Sequence, residues 1–280
     1  DETYPKQLKE ISSAPALVYV RGEFKNDDAC IAIVGSRKIS PYGIQVAGHL
    51  ACELAKNGIT VVSGMALGTD AVAHKECLKL KKRTIAVLGG GIDNQSIYPI
   101  TNRMMADEIA SSGALVSEYP IGTPPLKQHF PARNRIISGL SKGVLVIEAA
   151  ESSGALITAK FALEQNREIF AIPGNIFSIN SVGTNNLIKL GAKLVTKVDD
   201  ILEEINFKYI KKNSAAKVIV PDNDEEALVL KNLTADTPIH VDQLAKNAKM
   251  NISALTSLLT LMEIKGKVKN IGGMKYIIAN

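Results

Sequence analysis

Short apolar segments recur along the first two thirds of this chain and constrain its fold more than any other feature. They are rich in Ile, Val, Leu and Ala, a composition typical of strands buried on both faces of a sheet. The stretches between them carry an apolar residue every three or four positions, which indicates amphipathic helices. We therefore predict an α/β fold with a mostly parallel sheet flanked by helices on both sides. The predicted strands are residues 30–34, 59–63, 84–88, 114–117, 143–147, 168–172 and 193–195.

The chain changes character after residue 206. Residues 207–224 are rich in lysine and small polar residues and are interpreted as a linker, which leaves a core domain at residues 1–206. Residues 225–280 contain three helical patterns and a hairpin turn at Gly272 and Gly273, so we predict a small C-terminal winged-helix domain. Its third helix, 253–263, has no Arg or Lys that could read base edges, and its predicted core stripe is Leu255, Leu258, Leu259 and Met262.

Two interpretations of the winged-helix domain stay open. Lysines surround the predicted hairpin, so the domain could make weak phosphate contacts or bind a protein. If it were instead the main DNA reader of a transcription regulator, the protein would prefer duplex DNA and lose that preference on deletion of residues 225–280. The lysines are Lys265, Lys267, Lys269 and Lys275.

Composition excludes several classes of protein. No apolar run approaches the roughly 20 residues of a membrane-spanning helix, and no signal peptide is recognisable, so we expect a cytoplasmic protein without membrane contact. The three cysteines match no metal or redox spacing, and the four histidines are scattered. Neither a G-x-G-x-x-G nor a P-loop sequence is present, so no cofactor and no metal is expected. The net charge of +5 permits a polyanionic partner without requiring one.

Most of the predicted strands end at glycine-containing turns. In open α/β sheets, ligands bind beyond the carboxyl ends of the strands, and glycine lets the backbone approach a ligand closely. Ordinary tight turns are also rich in glycine, but four of them at one edge favour a binding site there. The turns are Gly35-Ser36-Arg37, the segment from Gly64 through Gly68 to Asp70, Gly89-Gly90-Gly91, and Pro173-Gly174.

The segment 130–135, Phe-Pro-Ala-Arg-Asn-Arg, is the strongest candidate for an anion site. It is predicted to open a helix at residues 133–140, with Arg133 and Arg135 in the first turn. Cations are unfavourable at that end of a helix, so the pattern indicates a bound anion nearby, held by guanidinium groups and free N–H groups. The alternative is that both arginines pair with local carboxylates.

Further candidates surround this segment. Arg37 follows the first strand directly, ahead of a helix that Ser40 is predicted to cap, where it could bind a phosphate or simply be a solvated loop residue. Lys127 and Phe130 together suit a phosphate and a stacked base, although a lone Phe more often closes the core beneath its loop. Residues Ser152-Ser153-Gly154 lie at another helix start, where either an anion or a simple serine cap would fit. Asp70 is as compatible with helix capping as with a functional role.

These motifs occur in an order and at distances that resemble the DNA-processing protein A family, also called DprA or Smf. The resemblance covers about residues 4–206, and the C-terminal segment resembles the winged domain of many members. Many members also carry a helical domain before the core, for which this sequence has almost no room. The resemblance implies an extended Rossmann-like core that binds single-stranded DNA. It also implies a non-enzymatic homodimer that protects incoming strands during natural transformation and loads the RecA recombinase on them.

The resemblance also implies the roles of individual residues. Arg37, Lys127, Arg133 and Arg135 match the basic positions of the family, and Phe130 matches its aromatic position. We expect Arg37→Ala or Arg133→Ala to weaken DNA binding with little change in melting temperature. The complete predicted phosphate and DNA site is Gly35, Ser36, Arg37, Gly64, Gly68, Lys127, Phe130, Arg133, Asn134, Arg135, Ser152, Ser153 and Gly154.

An enzymatic alternative remains at this stage. The predicted fold also resembles nucleoside-monophosphate phosphoribohydrolases, which carry a Pro-Gly-Gly-x-Gly-Thr-x-x-Glu loop. Residues 148–154 of this chain lack that pattern, although Glu148 and Glu151 could serve as acids. Release of a free base from a purine monophosphate, abolished by Glu148→Gln, would support this alternative.

Overall fold

The computed structural model describes residues 4–26, 28–205, 221–234 and 238–278. The chain divides into two compact units, residues 1–208 and 209–280. Most of the predicted linker, residues 207–220, lies outside the described residues.

Within its described residues, the first unit is built on an eight-stranded sheet in the order β1-β5-β4-β3-β2-β6-β7-β8. Every neighbouring pair is parallel except β1 and β5. The α/β prediction is confirmed, and each predicted strand agrees with the structure to within one residue at either end. The strands are β1 Tyr19–Gly22, β2 Cys30–Val34, β3 Thr60–Ser63, β4 Thr84–Val87, β5 Ala114–Ser117, β6 Gly143–Val146, β7 Glu168–Ala171 and β8 Lys193–Leu194.

Strand β2 lies at the centre of the sheet and is buried along its whole length. Cys30, Ala32 and Val34 pack into one apolar cluster, and Ile31 and Ile33 pack into a second cluster on the opposite face. Alternate side chains of a strand point to opposite faces, so a strand covered on both sides must be apolar at every position. This explains why the sequence identified the parallel strands so clearly.

Strand β1 was missed by the sequence analysis. It pairs antiparallel with β5 at the edge of the sheet, and its residues alternate between half-buried and exposed. An edge strand covered on one face needs no continuous apolar run. Its sequence, Tyr-Val-Arg-Gly, therefore carries little strand signal of its own.

Helices cover both faces of the sheet. Helix α2 begins as predicted, with Ser40 accepting a hydrogen bond from the Gly43 amide (3.1 Å) and proline in the first turn. The helices of the first unit are α1 Lys6–Lys9, α2 Pro41–Lys56, α3 Thr69–Lys79, α4 Arg103–Ser112, α5 His129–Gly139, α6 Gly154–Glu164, α7 Val182–Lys189 and α8 Val198–Glu204.

Helix α5 corrects one prediction. It begins at His129, one turn earlier than predicted, because Pro131 falls in the first turn, where a missing N–H breaks no helical hydrogen bond. Arg133 and Arg135 therefore lie in the second turn. The argument that first-turn arginines require a bound anion does not hold for this helix.

The remaining composition-based expectations concern thiols, metals and membranes. Cys30 and Cys77 are buried, and burial raises the pKa of both thiols, that of Cys77 to about 12. In the part of the chain that the structure describes, no cluster of His, Cys, Asp and Glu is arranged to hold a metal ion. Among the same residues, no helix combines the length and the apolarity that crossing a membrane requires.

The second unit has the winged-helix arrangement that the sequence predicts. Its described helices are α9 Asp224–Lys231, α10 Val241–Ala248 and α11 Ile252–Ile264, and its strands β9 Ile239–His240, β10 Val268–Asn270 and β11 Lys275–Ile278 form a sheet in the order β10-β11-β9. The turn between β10 and β11 uses positive φ angles at Gly272 (96°) and Gly273 (59°), a conformation that glycine adopts readily. The predicted core stripe of α11 is buried: Leu255, Leu258, Leu259 and Met262.

Two of the lysines near the hairpin bind carboxylates of their own unit. The Lys267 ammonium lies 2.6 Å from both Asp222 and Glu226, and that of Lys265 lies 2.7 Å from Asp222 and 3.1 Å from Glu226. The Glu226 side chain is only 1% exposed. Lys265 and Lys267 therefore hold α9 against the start of the hairpin, and they are less available to DNA than the sequence analysis assumed.

We expect this cluster to make the second unit sensitive to acid. Lys265 and Lys267 lower the pKa of Asp222 to about 2, and Lys267 above all lowers the pKa of Glu226. In the unfolded chain these carboxyls titrate near 3.8 and 4.5, so the stability they contribute is complete above about pH 4.5 and is lost as the pH falls toward 2. The intensity of the folded Leu259 amide signal by NMR, followed from pH 6 to pH 2, measures this loss. Lys267→Met removes a cation, so its profile should be shallower, and equal profiles would contradict the assignment.

Candidate nucleic-acid interface

A cleft of about 860 Å³ opens at the carboxyl edge of the main sheet. It is lined by the loops that follow strands β2 to β7 and by one face of α5. The carboxyl edge is the place where open α/β sheets bind ligands. Most of the predicted site residues meet there. Those that line the cleft are Gly35, Ser36, Arg37, Lys127, Phe130, Arg133, Asn134, Ser152, Ser153 and Gly154.

Arg37 and Phe130 form a cation–aromatic pair in this cleft. The guanidinium carbon of the exposed Arg37 lies 5.6 Å from the centre of the Phe130 ring. The Tyr98 ring is tilted by 52° against Phe130, with 5.8 Å between the ring centres. A Cβ atom at Gly89 would come within 3.0 Å of Phe130, so glycine there allows the ring to approach the end of β4. The pair offers a charged fork and an aromatic surface side by side.

The start of α6 forms another side of the cleft. Ser153 caps the helix by accepting a hydrogen bond from the Ala155 amide (3.3 Å), so the simple capping role that the sequence allowed is present. The amino end of a helix carries a partial positive charge and free N–H groups. Because Ser153 and Gly154 line the cleft, this positive end faces the same space as Arg37 and Lys127.

Arg133 lies at the floor of the cleft and is only 3% exposed. Its Nη1 atom donates hydrogen bonds to the carbonyl oxygens of Gly64 (2.8 Å) and Val87. These carbonyls lie at the ends of β3 and β4, so Arg133 ties two neighbouring strands together. Burial lowers the pKa of the guanidinium to about 10, although the nearby Asp70 acts in the opposite direction. The expectation that Arg133→Ala leaves the melting temperature unchanged is inconsistent with this burial.

Asp70 lies beside Arg133 at the floor of the cleft and stabilises the loop after β3. It is 7% exposed, and its Oδ2 atom accepts hydrogen bonds from the amides of Gly64 (3.1 Å) and Ala66 (3.2 Å). Both donors lie in the loop that precedes α3, ahead of the helix itself. Burial raises the pKa of its carboxyl, and Arg133 counteracts part of that effect. Asp70 therefore holds the loop after β3 and compensates the buried charge of Arg133.

The structure does not bring Arg135 into the cleft. Its guanidinium donates to both carboxylate oxygens of Glu118, at 2.9 and 2.5 Å, and to the carbonyl of Ser13. Residues two apart on a helix point in different directions, so Arg133 and Arg135 cannot both face the cleft. For Arg135, pairing with a local carboxylate, the alternative stated from the sequence, is what the structure contains.

Gly64 and Gly68 also lie outside the lining of the cleft, and both have supporting roles. Gly64 lets the Arg133 guanidinium pass close to the backbone, where a side chain would collide with it. Gly68 adopts a φ of +78° and packs against the carbonyl groups of Ser36 and Arg37. It thereby holds the loop that presents Arg37.

The predicted site also lacked other residues that line the cleft, among them Lys38, Tyr98, Ile179 and Asn180. Lys38 adjoins Arg37, and its position in the same strand-end loop could have identified it. Tyr98 and Asn180 lie in long loops whose paths the sequence does not determine. Asn180 is held by hydrogen bonds from the Ala149 amide to its carbonyl (2.7 Å) and from its side-chain amide to the Lys38 carbonyl (3.4 Å).

Glu148, the candidate acid, is 3% exposed, and both of its carboxylate oxygens accept hydrogen bonds from Ser40. Its Oε2 atom accepts from the Ser40 amide (2.9 Å), and its Oε1 atom accepts from the Ser40 hydroxyl (2.5 Å). Ser40 in turn caps α2. Glu148 therefore anchors the loop after β2 to the loop after β6, and it does not line the cleft.

Two family models and several known proteins match this chain. The family model of DNA recombination-mediator protein A matches residues 1–206, and that of the DprA winged helix domain matches residues 213–274. Protein Smf of Escherichia coli is 42% identical over 280 residues, which cover 97% of this chain and 74% of that protein. DNA processing protein DprA of Bacillus subtilis is 46% identical over 204 residues, which cover 72% of this chain and 68% of that protein.

Solved structures agree with these matches. DNA processing protein A from Streptococcus pneumoniae superimposes with a TM-score of 0.69 at 43% identity, covering 73% of this chain and 71% of the other. The protein of the same name from Helicobacter pylori gives a TM-score of 0.66 at 34% identity, covering 74% of this chain and 93% of the other. With its Rossmann-like core, its winged-helix unit and this agreement in sequence and structure, the chain belongs to the DNA recombination-mediator protein A family.

Proposed function

We propose that this protein is a single-stranded DNA-binding recombination mediator. The observation that carries the proposal is the cleft in which Arg37, Lys127 and the amino end of α6 surround the aromatic pair of Phe130 and Tyr98. Cations beside aromatic rings are the usual means of binding single strands without sequence preference. The published description of the Helicobacter pylori relative concerns its single-stranded DNA binding mode, which supports the same assignment here.

The proposed mechanism separates backbone contacts from base contacts. Phosphates bind at Arg37, Lys127 and the N–H groups that start α6. An unpaired base packs against Phe130, whereas a paired base inside a duplex cannot present its face to the ring. Binding that relies chiefly on the backbone leaves most bases accessible to the next protein.

Family membership supports the finer parts of the proposal. We propose that the protein acts in the cytoplasm as a homodimer, protects incoming DNA during natural transformation and loads RecA onto it. A RecA filament assay on single strands coated with competing binding protein tests the loading step, and no acceleration by this protein would contradict it.

The primary test is fluorescence anisotropy with labelled single-stranded and duplex DNA of equal length, measured over a salt series. We expect tighter binding to the single strand. Each phosphate contact should make the slope of log affinity against log salt more negative by about 0.7, because binding releases counterions from the DNA. Equal affinity for duplex, or binding that is indifferent to salt, would contradict the proposal.

The enzymatic alternative makes a different prediction about Glu148. Both of its oxygens accept hydrogen bonds from Ser40, and a glutamine there would turn a donor toward one of them. We therefore expect Glu148→Gln to lower the stability of the first unit by about 2 kcal/mol, the usual effect of an unsatisfied buried polar group. Thermal unfolding measures this change, with Glu151→Gln, an exposed neighbour, as the control. Release of base from a purine monophosphate that disappears in Glu148→Gln would favour the enzyme instead.

For the winged-helix unit we propose a supporting role. Its α11 helix presents Leu261, 54% exposed, and hydroxyl side chains rather than cations, while Lys269 and Lys275 of the hairpin are exposed. This surface suits a protein contact or weak phosphate contacts better than base reading. A duplex preference of the whole protein, lost on deletion of residues 225–280, would favour a transcription regulator.

A further inference from the structure

The loop that follows β7 exposes an unusual amount of apolar surface. The exposed fractions are 79% for Ile176, 91% for Phe177 and 74% for Ile179. Contiguous exposed apolar surface on a soluble domain usually marks a place where something binds. Phe177 is the most exposed of the large hydrophobic residues that the structure describes.

This loop is held in place by its own hydrogen bonds. The side chain of Asn175 accepts from the Phe177 amide (2.9 Å), and its carbonyl accepts from the Ser178 amide (2.9 Å). At the base of the loop, Asn185 exchanges two hydrogen bonds with the backbone of Gly174, at 3.2 and 3.1 Å. The aromatic ring is therefore presented to solvent by an ordered turn, which reduces the entropy lost when a partner stacks on it.

The loop is continuous with the proposed DNA cleft. Ile179 and Asn180, which follow Phe177 closely, line the cleft. Asn180 is also bonded to the Lys38 carbonyl, beside Arg37. A strand bound at Arg37 can therefore leave the cleft past Asn180 toward Phe177.

The strand order spaces the relevant groups along one edge. The strands β4, β3, β2, β6 and β7 are consecutive neighbours in the sheet. Tyr98 and Phe130 lie at the β4 end, Arg37 follows β2 in the middle, and Phe177 follows β7 at the other end. Neighbouring strands are about 4.8 Å apart, so the ends of β4 and β7 are separated by roughly 19 Å. This edge has an aromatic surface toward each end, with Arg37 beside the Phe130 ring. The amino end of α6, which follows β6, lies between the two.

We propose that Phe177 is a second stacking platform, which takes a nucleobase of the single strand where the strand leaves the cleft. The inference rests on the proposed single-strand binding and extends it beyond the cleft. Every nucleobase has an aromatic face, so the contact would be indifferent to sequence. Its effect would be to lengthen the bound segment and to set its path past α7.

A tryptophan reporter tests the contact directly, because the chain contains no tryptophan. In Phe177→Trp the new indole is the only one, and we expect its fluorescence to be quenched as oligo-dT is added. Leu163→Trp is the matched control: Leu163 is 71% exposed near the carboxyl end of α6, whereas the amino end of that helix lines the cleft. Its fluorescence should not change. Saturable binding by anisotropy without any quenching in Phe177→Trp would overturn the proposal.

Affinity measurements separate stacking from general apolar contact. We expect Phe177→Ala to weaken binding of a long oligo-dT about tenfold, and Phe177→Tyr to bind as the wild type does. Phe177→Leu keeps an apolar side chain without the aromatic face, so it should resemble Phe177→Ala. A long oligonucleotide that is abasic at the end leaving the cleft toward Phe177 has no base to stack on that ring. It should therefore bind the wild type and Phe177→Ala with equal affinity.

The other outcomes are distinguishable. Wild-type affinity in both Phe177→Ala and Phe177→Leu would overturn the stacking platform and leave the proposed function intact. A change in molecular mass by light scattering in Phe177→Ala, with unchanged DNA affinity, would assign the loop to a protein contact instead. If the wild type binds no single-stranded DNA at all, the proposed function fails and the platform fails with it.

Discussion

Arg133→Met should lower the melting temperature of the first unit by about 10 °C. The substitution leaves the carbonyl groups of Gly64 and Val87 without their donor and leaves the buried Asp70 without the nearby positive charge. Removing one partner of a buried charge pair typically costs about 3 kcal/mol or more, and a domain of this size loses about 3 °C per kcal/mol. Differential scanning calorimetry of the whole protein measures the shift.

Three variants show whether the effect has this cause. Arg21→Met breaks a pair with Asp107 in which both side chains are at least a third exposed, so it should change the melting temperature by only about 2 °C. Arg133→Lys keeps the charge but lacks the planar fork, so an intermediate loss is expected. Asp70→Asn should cost less in the Arg133→Met background than in the wild type, because the two sites are coupled. An unchanged melting temperature together with lost DNA binding would instead favour Arg133 as a phosphate ligand.

Arg37→Ala should weaken binding of single-stranded DNA about thirtyfold and leave the melting temperature unchanged. Arg37 is exposed, lines the cleft and is positioned over Phe130, so the variant loses a charged contact without disturbing the core. A hydrogen bond to a charged group contributes about 2 kcal/mol, which corresponds to that factor. In Arg37→Ala/Lys127→Ala, the salt dependence of log affinity should become shallower by about 1.4.

The control for Arg37→Ala is Lys160→Ala. Lys160→Ala removes one positive charge, as Arg37→Ala does, but from helix α6. The Lys160 ammonium lies 3.9 Å from Glu164, and its side chain is 77% exposed. We expect it to bind DNA within about twofold of the wild type, because an exposed charge outside the contact is largely screened. If Lys160→Ala and Arg37→Ala lose affinity equally, the effect is one of net charge, and the cleft assignment is wrong.

The fold was largely predictable from the sequence. Parallel strands covered on both faces must be apolar throughout, so β2 and its neighbours were identified to within a residue. The four buried positions of α11 follow from helical periodicity alone. The edge strand β1 was missed because only one of its faces is covered, and the start of α5 was misplaced by one turn because a proline in the first turn was taken as lying before the helix.

The candidate site was predictable in part. Arg37 reaches the cleft because it follows a strand end, and Lys127 and Phe130 reach it because they lie just before and at the start of α5, the helix that faces it. Sequence alone did not distinguish Arg133, which is buried beneath the cleft, from Arg135, which pairs with Glu118. Tyr98 and Phe177 carried no periodic signal, because each lies in a loop whose path is set by long-range contacts.

The sequence by itself therefore determined which segments form the parallel strands of the sheet, which form the winged helix, and at which edge of the sheet the candidate site lies. These properties depend on local periodicity and on the rule that parallel strands end together. Only the tertiary structure decided which cations remain available to a ligand. That depends on which carboxylates and carbonyls the fold brings beside each of them, as it brings Glu118 to Arg135 and the ends of β3 and β4 to Arg133, while Arg37 stays exposed above Phe130.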